Sequence, residues 1–137
     1  MREAQVVVTA TSSHEPVLRR EWLAEGAHLN AVGASAPMFR ELDSATLAAC
    51  SLFADSRESL ENEAGDYQLA VSEGAISGPE HIRAELGEVV AGIRPGRTDA
   101  AQLTVFRSLG LAIEDLAAAE YAVENARRRG AGVEVEL

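Results

Sequence analysis

Short runs of apolar residues recur along the chain, a pattern typical of strands buried in a parallel sheet. The first run, residues 6–10, is continuously apolar and mostly β-branched, so we predict a strand that is buried on both faces. Similar runs predict strands over residues 28–32, 52–55 and 102–106. A buried parallel strand needs a neighbouring strand on each side, and the residues before Val6 are too few to supply one.

Helical patterns alternate with these runs. We predict helices over residues 44–50, 57–63, 66–72, 82–91 and 111–129. Asp43 is the expected N-cap of the first helix, and Trp22 and Leu23 should anchor a helical turn over residues 20–24. The last helix is acidic at its start and basic at its end, and Gly130 should terminate it. Strands that alternate with helices at this spacing predict an α/β fold with a parallel sheet.

The run at residues 28–32 opens into Gly33, Ala34 and Ser35, a loop of small residues. Ligands of open parallel sheets bind outside the carboxyl ends of the strands, and a loop without bulky side chains lets a flat ligand approach the backbone closely. Thr9 and Thr11, at the end of the first strand, offer hydroxyl groups. An ordinary strand-to-loop connection explains the same pattern and stays an open alternative.

A second candidate contact lies at Ser108, which is placed to cap the last helix beside the end of a strand. Glycine-rich phosphate loops and zinc-binding histidine motifs do not occur in the sequence. We interpret the acidic stretch with Glu58, Glu61, Glu63 and Asp66 as a solvated helix face rather than a metal site. His28, on an apolar strand, is interpreted as a hydrogen-bonded core residue.

Composition narrows the classes of function. The 137 residues correspond to about one domain, and the net charge of −10 makes binding to nucleic acid or to an anionic membrane unfavourable. The single cysteine, Cys50, rules out an internal disulfide and is expected in the core. No apolar run is long enough to span a membrane, and the N-terminal residues lack a signal-peptide pattern, so we expect a cytoplasmic protein.

Five segments in order resemble the ornithine cyclodeaminase/mu-crystallin family over nearly the whole chain. They are Val-Val-Val-Thr-Ala-Thr-Ser-Ser-His-Glu-Pro-Val-Leu (6–18), Gly-Ala-His-Leu-Asn-Ala-Val-Gly-Ala-Ser (26–35), Arg-Glu-Leu-Asp (40–43), Ala-Glu-Leu-Gly-Glu-Val (84–89) and Thr-Val-Phe-Arg-Ser-Leu-Gly-Leu-Ala-Ile-Glu-Asp (104–115). The resemblance implies a Rossmann-type domain that binds NAD or NADP, a small imine or amino-acid substrate, and a homodimer formed through a separate substrate domain.

By position, the resemblance implies a set of cofactor contacts and one substrate contact. The cofactor contacts are Thr9, Thr11, Ala31, Val32, Gly33, Ser35 and Ser108, and Leu109 would face the substrate. Cyclodeaminases carry a catalytic Asp at the position of Ser35 and a Lys at that of Phe39, so the resemblance favours an imine or ketimine reductase or an amino-acid dehydrogenase. No catalytic residue is assigned. Ornithine cyclodeaminase proper and a non-catalytic binding module stay as alternatives.

The matched segments correspond to the C-terminal part of the family's cofactor domain followed by a C-terminal helix. The family's N-terminal substrate domain and its Gly-rich phosphate loop have no counterpart in residues 1–137. We therefore expect a partial Rossmann-type sheet that binds a dinucleotide poorly by itself and has no turnover. Imine reduction by the purified chain would contradict this expectation.

Overall fold

The computed structural model describes residues 3–135, so Met1 and Arg2 of the N-terminal stretch considered above lie outside the described residues. Its centre is a sheet of parallel strands in the spatial order β1-β2-β5-β3-β4. The strands are β1 (Val6–Thr9), β2 (His28–Ala31), β3 (Ser51–Ala54), β4 (Ile82–Glu85) and β5 (Thr104–Arg107). The predicted α/β class with a parallel, Rossmann-type sheet is confirmed.

The helices connect the strands largely as predicted. They are α1 (Ser44–Ala49), α2 (Arg57–Glu63), α3 (Gly65–Ser72), α4 (Leu86–Val90) and α5 (Ala112–Arg129), with 3₁₀ turns at Arg20–Trp22 and Gly78–His81. The Asp43 carboxylate caps α1 by accepting a hydrogen bond from the Thr46 backbone N–H at 2.9 Å. Gly130 ends α5 in the left-handed conformation, with φ of 61°.

One face of the sheet is covered and the other is largely open. Leu29, Leu52 and Val105 point into a core that also contains Leu47 of α1 and Leu60 of α2. Cys50 and Leu23 belong to the same core, as predicted. None of the residues of α5 is buried, and no helix within residues 3–135 has the length and hydropathy needed to cross a bilayer.

The strand β1 is not buried on both faces, and that prediction is wrong. Val7 and Thr9 are buried, whereas Val6 and Val8 are 58 % and 62 % exposed. The strand lies at one edge of the described sheet, with β2 as its neighbour. Val6 and Val8 therefore face away from the core, although the β-branched composition of the strand predicted that both of its faces would be buried.

The predicted helix over residues 82–91 is also only partly correct. Its first residues form β4, which pairs in parallel with β3, and only Leu86–Val90 are helical. Ile82 and Ala84 are buried while Arg83 is exposed, which is the two-residue alternation of a strand. Pairing with β3 outweighs the helical spacing of the apolar residues because it satisfies backbone groups that the edge of β3 would otherwise leave unpaired.

Candidate functional site

The predicted site residues come together at the carboxyl ends of three neighbouring strands. The Val32 backbone N–H donates to the carbonyl oxygen of Thr9 at 2.9 Å, and the Ser108 N–H donates to that of Ala31 at 3.0 Å. The ends of β1, β2 and β5 therefore lie side by side. All eight residues predicted as contacts occur at these three ends or directly after them: Thr9, Thr11, Ala31, Val32, Gly33, Ser35, Ser108 and Leu109.

Exposure divides these residues into two groups. Thr11, Val32 and Ser35 are exposed, and Gly33, Ser108 and Leu109 are half-buried. Thr9 and Ala31 are buried, so neither side chain is available to a ligand in this conformation. The accessible surface is therefore built from small and hydroxyl-bearing residues, with Val32 as its exposed apolar side chain.

A buried carboxylate lies beneath two of the strand ends. Glu41 is 0 % exposed, and its two oxygens accept three hydrogen bonds. The Thr9 hydroxyl donates at 2.9 Å, the Thr11 backbone N–H at 2.5 Å and the Gly33 backbone N–H at 2.8 Å. The sequence showed Glu41 only as part of the matched segment 40–43, so this role was missed.

Gly33 is required at this point because the two chain segments approach very closely. A Cβ atom at residue 33 would lie 2.1 Å from the carbonyl oxygen of Thr11 and 2.3 Å from an oxygen of Glu41. Real Cβ atoms essentially never approach another heavy atom within 3.0 Å. Any side chain at this position would push the end of β1 away from the loop after β2.

The end of β5 contributes a second buried charge. Arg107 is fully buried, and its Nε donates to Asp66 Oδ1 at 3.0 Å. Its guanidinium also donates to the carbonyl oxygens of Ala31 at 2.6 Å, of Ser108 at 3.1 Å, and of Ala34. Arg107 therefore holds the loop after β2 against the turn after β5.

The interpretation of Asp66 as part of a solvated helix face is wrong, although Glu58, Glu61 and Glu63 are exposed. Asp66 is 0 % exposed, and its Oδ2 has no hydrogen-bond partner among the described residues. Burial raises the pKa of this carboxyl group, and the neighbouring Arg107 opposes that rise. Sequence spacing gave no signal of this pair because its members lie 41 positions apart.

A third carboxylate organises the turn at residues 108–110. Asp55, directly after β3 and buried, accepts from the backbone N–H groups of Leu109 at 2.6 Å and Gly110 at 2.7 Å. It also accepts from the Ser108 hydroxyl at 3.2 Å. The prediction that Ser108 caps the last helix is therefore wrong, because α5 starts at Ala112 with no side-chain cap. A polar residue directly after a buried strand was the signal that could have identified Asp55.

Together these three side chains link four adjacent strand ends in their spatial order. Glu41 joins β1 to β2, Arg107 joins β2 to β5, and Asp55 joins β5 to β3. The loop amides of Thr11, Gly33 and Leu109 are thereby directed into the protein. We call this set the strand-end network (Glu41, Arg107 and Asp55).

His28 lies on the open face of the sheet, away from the strand-end network. Its ring nitrogens are hydrogen-bonded to Thr104 Oγ1 at 2.8 Å and to Asn30 Oδ1 at 3.3 Å. It is hydrogen-bonded as predicted but only half-buried, and it lines a groove of about 470 Å³ with Phe53 and Phe106. Within residues 3–135, no three His, Cys, Asp or Glu side chains converge as a metal site would require.

A parallel sheet with small-residue loops at adjacent carboxyl ends, and with β5 inserted between β2 and β3, defines an α/β protein of the Rossmann type. The family model described as ornithine cyclodeaminase/mu-crystallin matches residues 1–130. The chain belongs to this family, as its sequence segments predicted.

Three similar proteins are oxidoreductases by name, and other similar structures are cyclodeaminases by name. The chain is 40 % identical to alanine dehydrogenase of Archaeoglobus fulgidus over 96 % of its own length and 40 % of that protein. It is 46 % identical to ketimine reductase mu-crystallin of Macropus fuliginosus, over 85 % of its length and 34 % of that protein. The chain also matches a structure of Δ1-pyrroline-2-carboxylate reductase from Thermococcus litoralis in complex with NADH and L-proline. The TM-score is 0.89 and the identity is 42 %, and the match covers 98 % of this chain and 41 % of that one. The chain thus spans about two-fifths of the length of these relatives or less.

Proposed function

We propose that the carboxyl ends of β1, β2 and β5 hold the nicotinamide end of NAD or NADP, in an oxidoreductase that acts on a small imine or amino acid. The observation that carries this proposal is the accessible surface of small and hydroxyl-bearing residues above the strand-end network, whose loops are held by buried carboxylates. Val32 supplies an apolar contact for one ring face, and Thr11 and Ser35 supply exposed hydroxyl groups beside it.

The residues fit a nicotinamide ring for a physical reason. The amides of Gly33 and Leu109 are occupied by buried carboxylates, so the loops do not need a ligand to satisfy them. Loops fixed in advance lose little entropy on binding and can hold a ring in one orientation. When bound, the nicotinamide would supply the hydride for reduction of an imine, or accept it in oxidation of an amino acid, at its C4 position, and the protein would supply orientation and exclusion of water.

The relatives support the same assignment. The Thermococcus litoralis reductase, with a TM-score of 0.89 to this chain, is in complex with NADH and L-proline. Ser35 is exposed in the loop after β2, and a hydroxyl group cannot act as the carboxylate base that a cyclodeaminase needs there. Imine reduction or amino-acid dehydrogenation is therefore favoured over ornithine cyclisation.

We further propose that residues 1–137 correspond to the C-terminal part of a Rossmann-type cofactor domain and a C-terminal helix. The relatives are about two and a half times as long as their matched part, and a phosphate-binding loop is expected in their remaining length. Binding by this chain alone would then rest on nicotinamide contacts. We expect a Kd of about 1 mM, equivalent to about −4 kcal/mol.

Two-dimensional ¹H–¹⁵N NMR of the 137-residue chain, titrated with NADH and with NADPH, tests the proposal. We expect the largest shifts at the amides of Val32, Ser35 and Leu109, with small shifts on the open sheet face around His28. AMP is the control ligand, because it shares the adenine end but lacks nicotinamide and should leave these amides unchanged. A site with a Kd of about 1 mM would be mostly occupied at about 10 mM NADH. The assignment would be overturned if no shifts appear up to that concentration, or if the shifts are confined to other surfaces.

A further inference from the structure

We propose that Glu41 is a positioning residue that sets the geometry of the cofactor-facing loops, a role that deepens the proposed function and rests on it. Glu41 does not reach the accessible surface, since it is 0 % exposed. It acts through the Thr9–Thr11 segment and the loop that begins at Gly33.

The number and direction of the hydrogen bonds make Glu41 suited to this role. Three donors from two chain segments converge on its two oxygens. A carboxylate only accepts hydrogen bonds, so both oxygens can serve these donors at the same time. Glutamine has nearly the same shape but replaces one oxygen by an NH₂ group, which would place donor against donor at Thr11 or at Gly33.

The close approach at Gly33 shows why the hydrogen bonds of Glu41 matter for the position of the loops. The Thr11 backbone lies within the space that a Cβ atom of residue 33 would need, and it lies beyond the hydrogen bond from the Val32 N–H to the Thr9 carbonyl oxygen that ends the strand pairing. Glu41 is the group that contacts both segments with charge-assisted hydrogen bonds, which are about twice as strong as neutral ones. Exposed Thr11 and the exposed loop residues Val32 and Ser35 therefore share one fixed geometry.

The substitutions Glu41→Gln and Thr9→Val separate positioning from space filling, because each nearly keeps the shape of the side chain it replaces. Glu61→Gln is the matched control, the same chemical change on the exposed face of α2. If Glu41 positions the loops, E41Q should speed amide hydrogen exchange at Thr11 and Gly33 at least about tenfold. This factor corresponds to a decrease of RT ln 10 in the free energy of local opening. Exchange at Leu52 and Val105 in the sheet centre follows global unfolding, so it measures any loss of overall stability and is the reference for the acceleration at Thr11 and Gly33.

The outcomes distinguish this inference from the proposed function. If Glu41 only fills space, E41Q will exchange like the wild type, and the inference is overturned. An acceleration at Thr11 and Gly33 that is no larger than the acceleration at Leu52 and Val105 overturns it as well. With wild-type NADH shifts present, E41Q should reduce the affinity about tenfold or more, T9V less, and E61Q not at all. If the wild type shows no NADH shifts, the proposed function fails, and the exchange data alone decide whether Glu41 positions the loops.

Discussion

Gly33 offers the sharpest test of how the strand ends are packed. In Gly33→Ala the new Cβ atom would start 2.1 Å from the Thr11 carbonyl oxygen, whereas ordinary contacts begin at 3.4 Å, so the two segments must separate by more than 1 Å. Overpacking of this kind costs about 1–3 kcal/mol. The separation also breaks the hydrogen bond from the Gly33 N–H to the Glu41 carboxylate, of a kind worth about 1.5–3 kcal/mol. We expect a total loss of about 2.5–6 kcal/mol.

Gly87→Ala is the matched control for this prediction. Gly87 lies in α4, and a Cβ atom there would meet nothing within 4 Å. Alanine favours a helix over glycine by about 1 kcal/mol, so G87A should be neutral or slightly stabilising. Urea unfolding followed by far-UV circular dichroism gives both free energies, with the m-values checking that the transition stays comparable. A G33A protein within about 0.5 kcal/mol of the wild type, or a G87A protein that loses as much as G33A, would refute the close-packing argument.

Three further predictions concern buried and capping groups. Arg107→Met leaves the Asp66 carboxylate buried without its partner and should cost about 3–5 kcal/mol in urea unfolding; an unchanged midpoint would contradict the buried ion pair. Asp43→Ala removes the cap of α1 and should cost about 1 kcal/mol by the same assay, and no loss would mean that the cap contributes nothing. Burial raises the pKa of Cys50 from 9.0 to about 11, so at pH 8 its thiolate fraction is about 100-fold below that of an unfolded chain. Alkylation by iodoacetamide, measured by mass spectrometry at pH 8, should therefore be slow in buffer and fast in urea, and equal rates would contradict the burial of the thiol.

The raised pKa of Cys50 also determines how the free energy of unfolding changes with pH. Since the folded pKa is raised, its stabilising contribution is complete below pH 9, where the thiol is protonated in both states. The contribution is lost as the pH rises from about 9 to about 11, because the unfolded chain releases the proton first. Cys50→Ala should therefore show a flatter loss of stability over this alkaline range than the wild type, and identical alkaline limbs in urea unfolding would contradict the shift.

Local patterns in the sequence determined the elements that depend on neighbouring residues. The strand at residues 28–31 with its small-residue loop, the Asp43 cap and the end of α5 at Gly130 all follow from short-range rules of burial, capping and backbone freedom. The same segments carry the family resemblance. Sequence alone therefore determined the fold class and the edge of the sheet where the candidate site lies.

The tertiary structure decided which charged residues are buried and what they hold. Glu41 bonds to Thr9 across 32 positions and Asp55 to Gly110 across 55, so no local spacing reveals them. The sequence did not reveal strand β4 for the same reason. The apolar residues after Ile82 fit the spacing of a helix as well as the alternation of a strand, and only pairing with β3, which satisfies the backbone hydrogen-bonding groups, decides for a strand. A buried charge or an added strand is stable only when distant segments supply its partners, and only the folded chain brings those partners together.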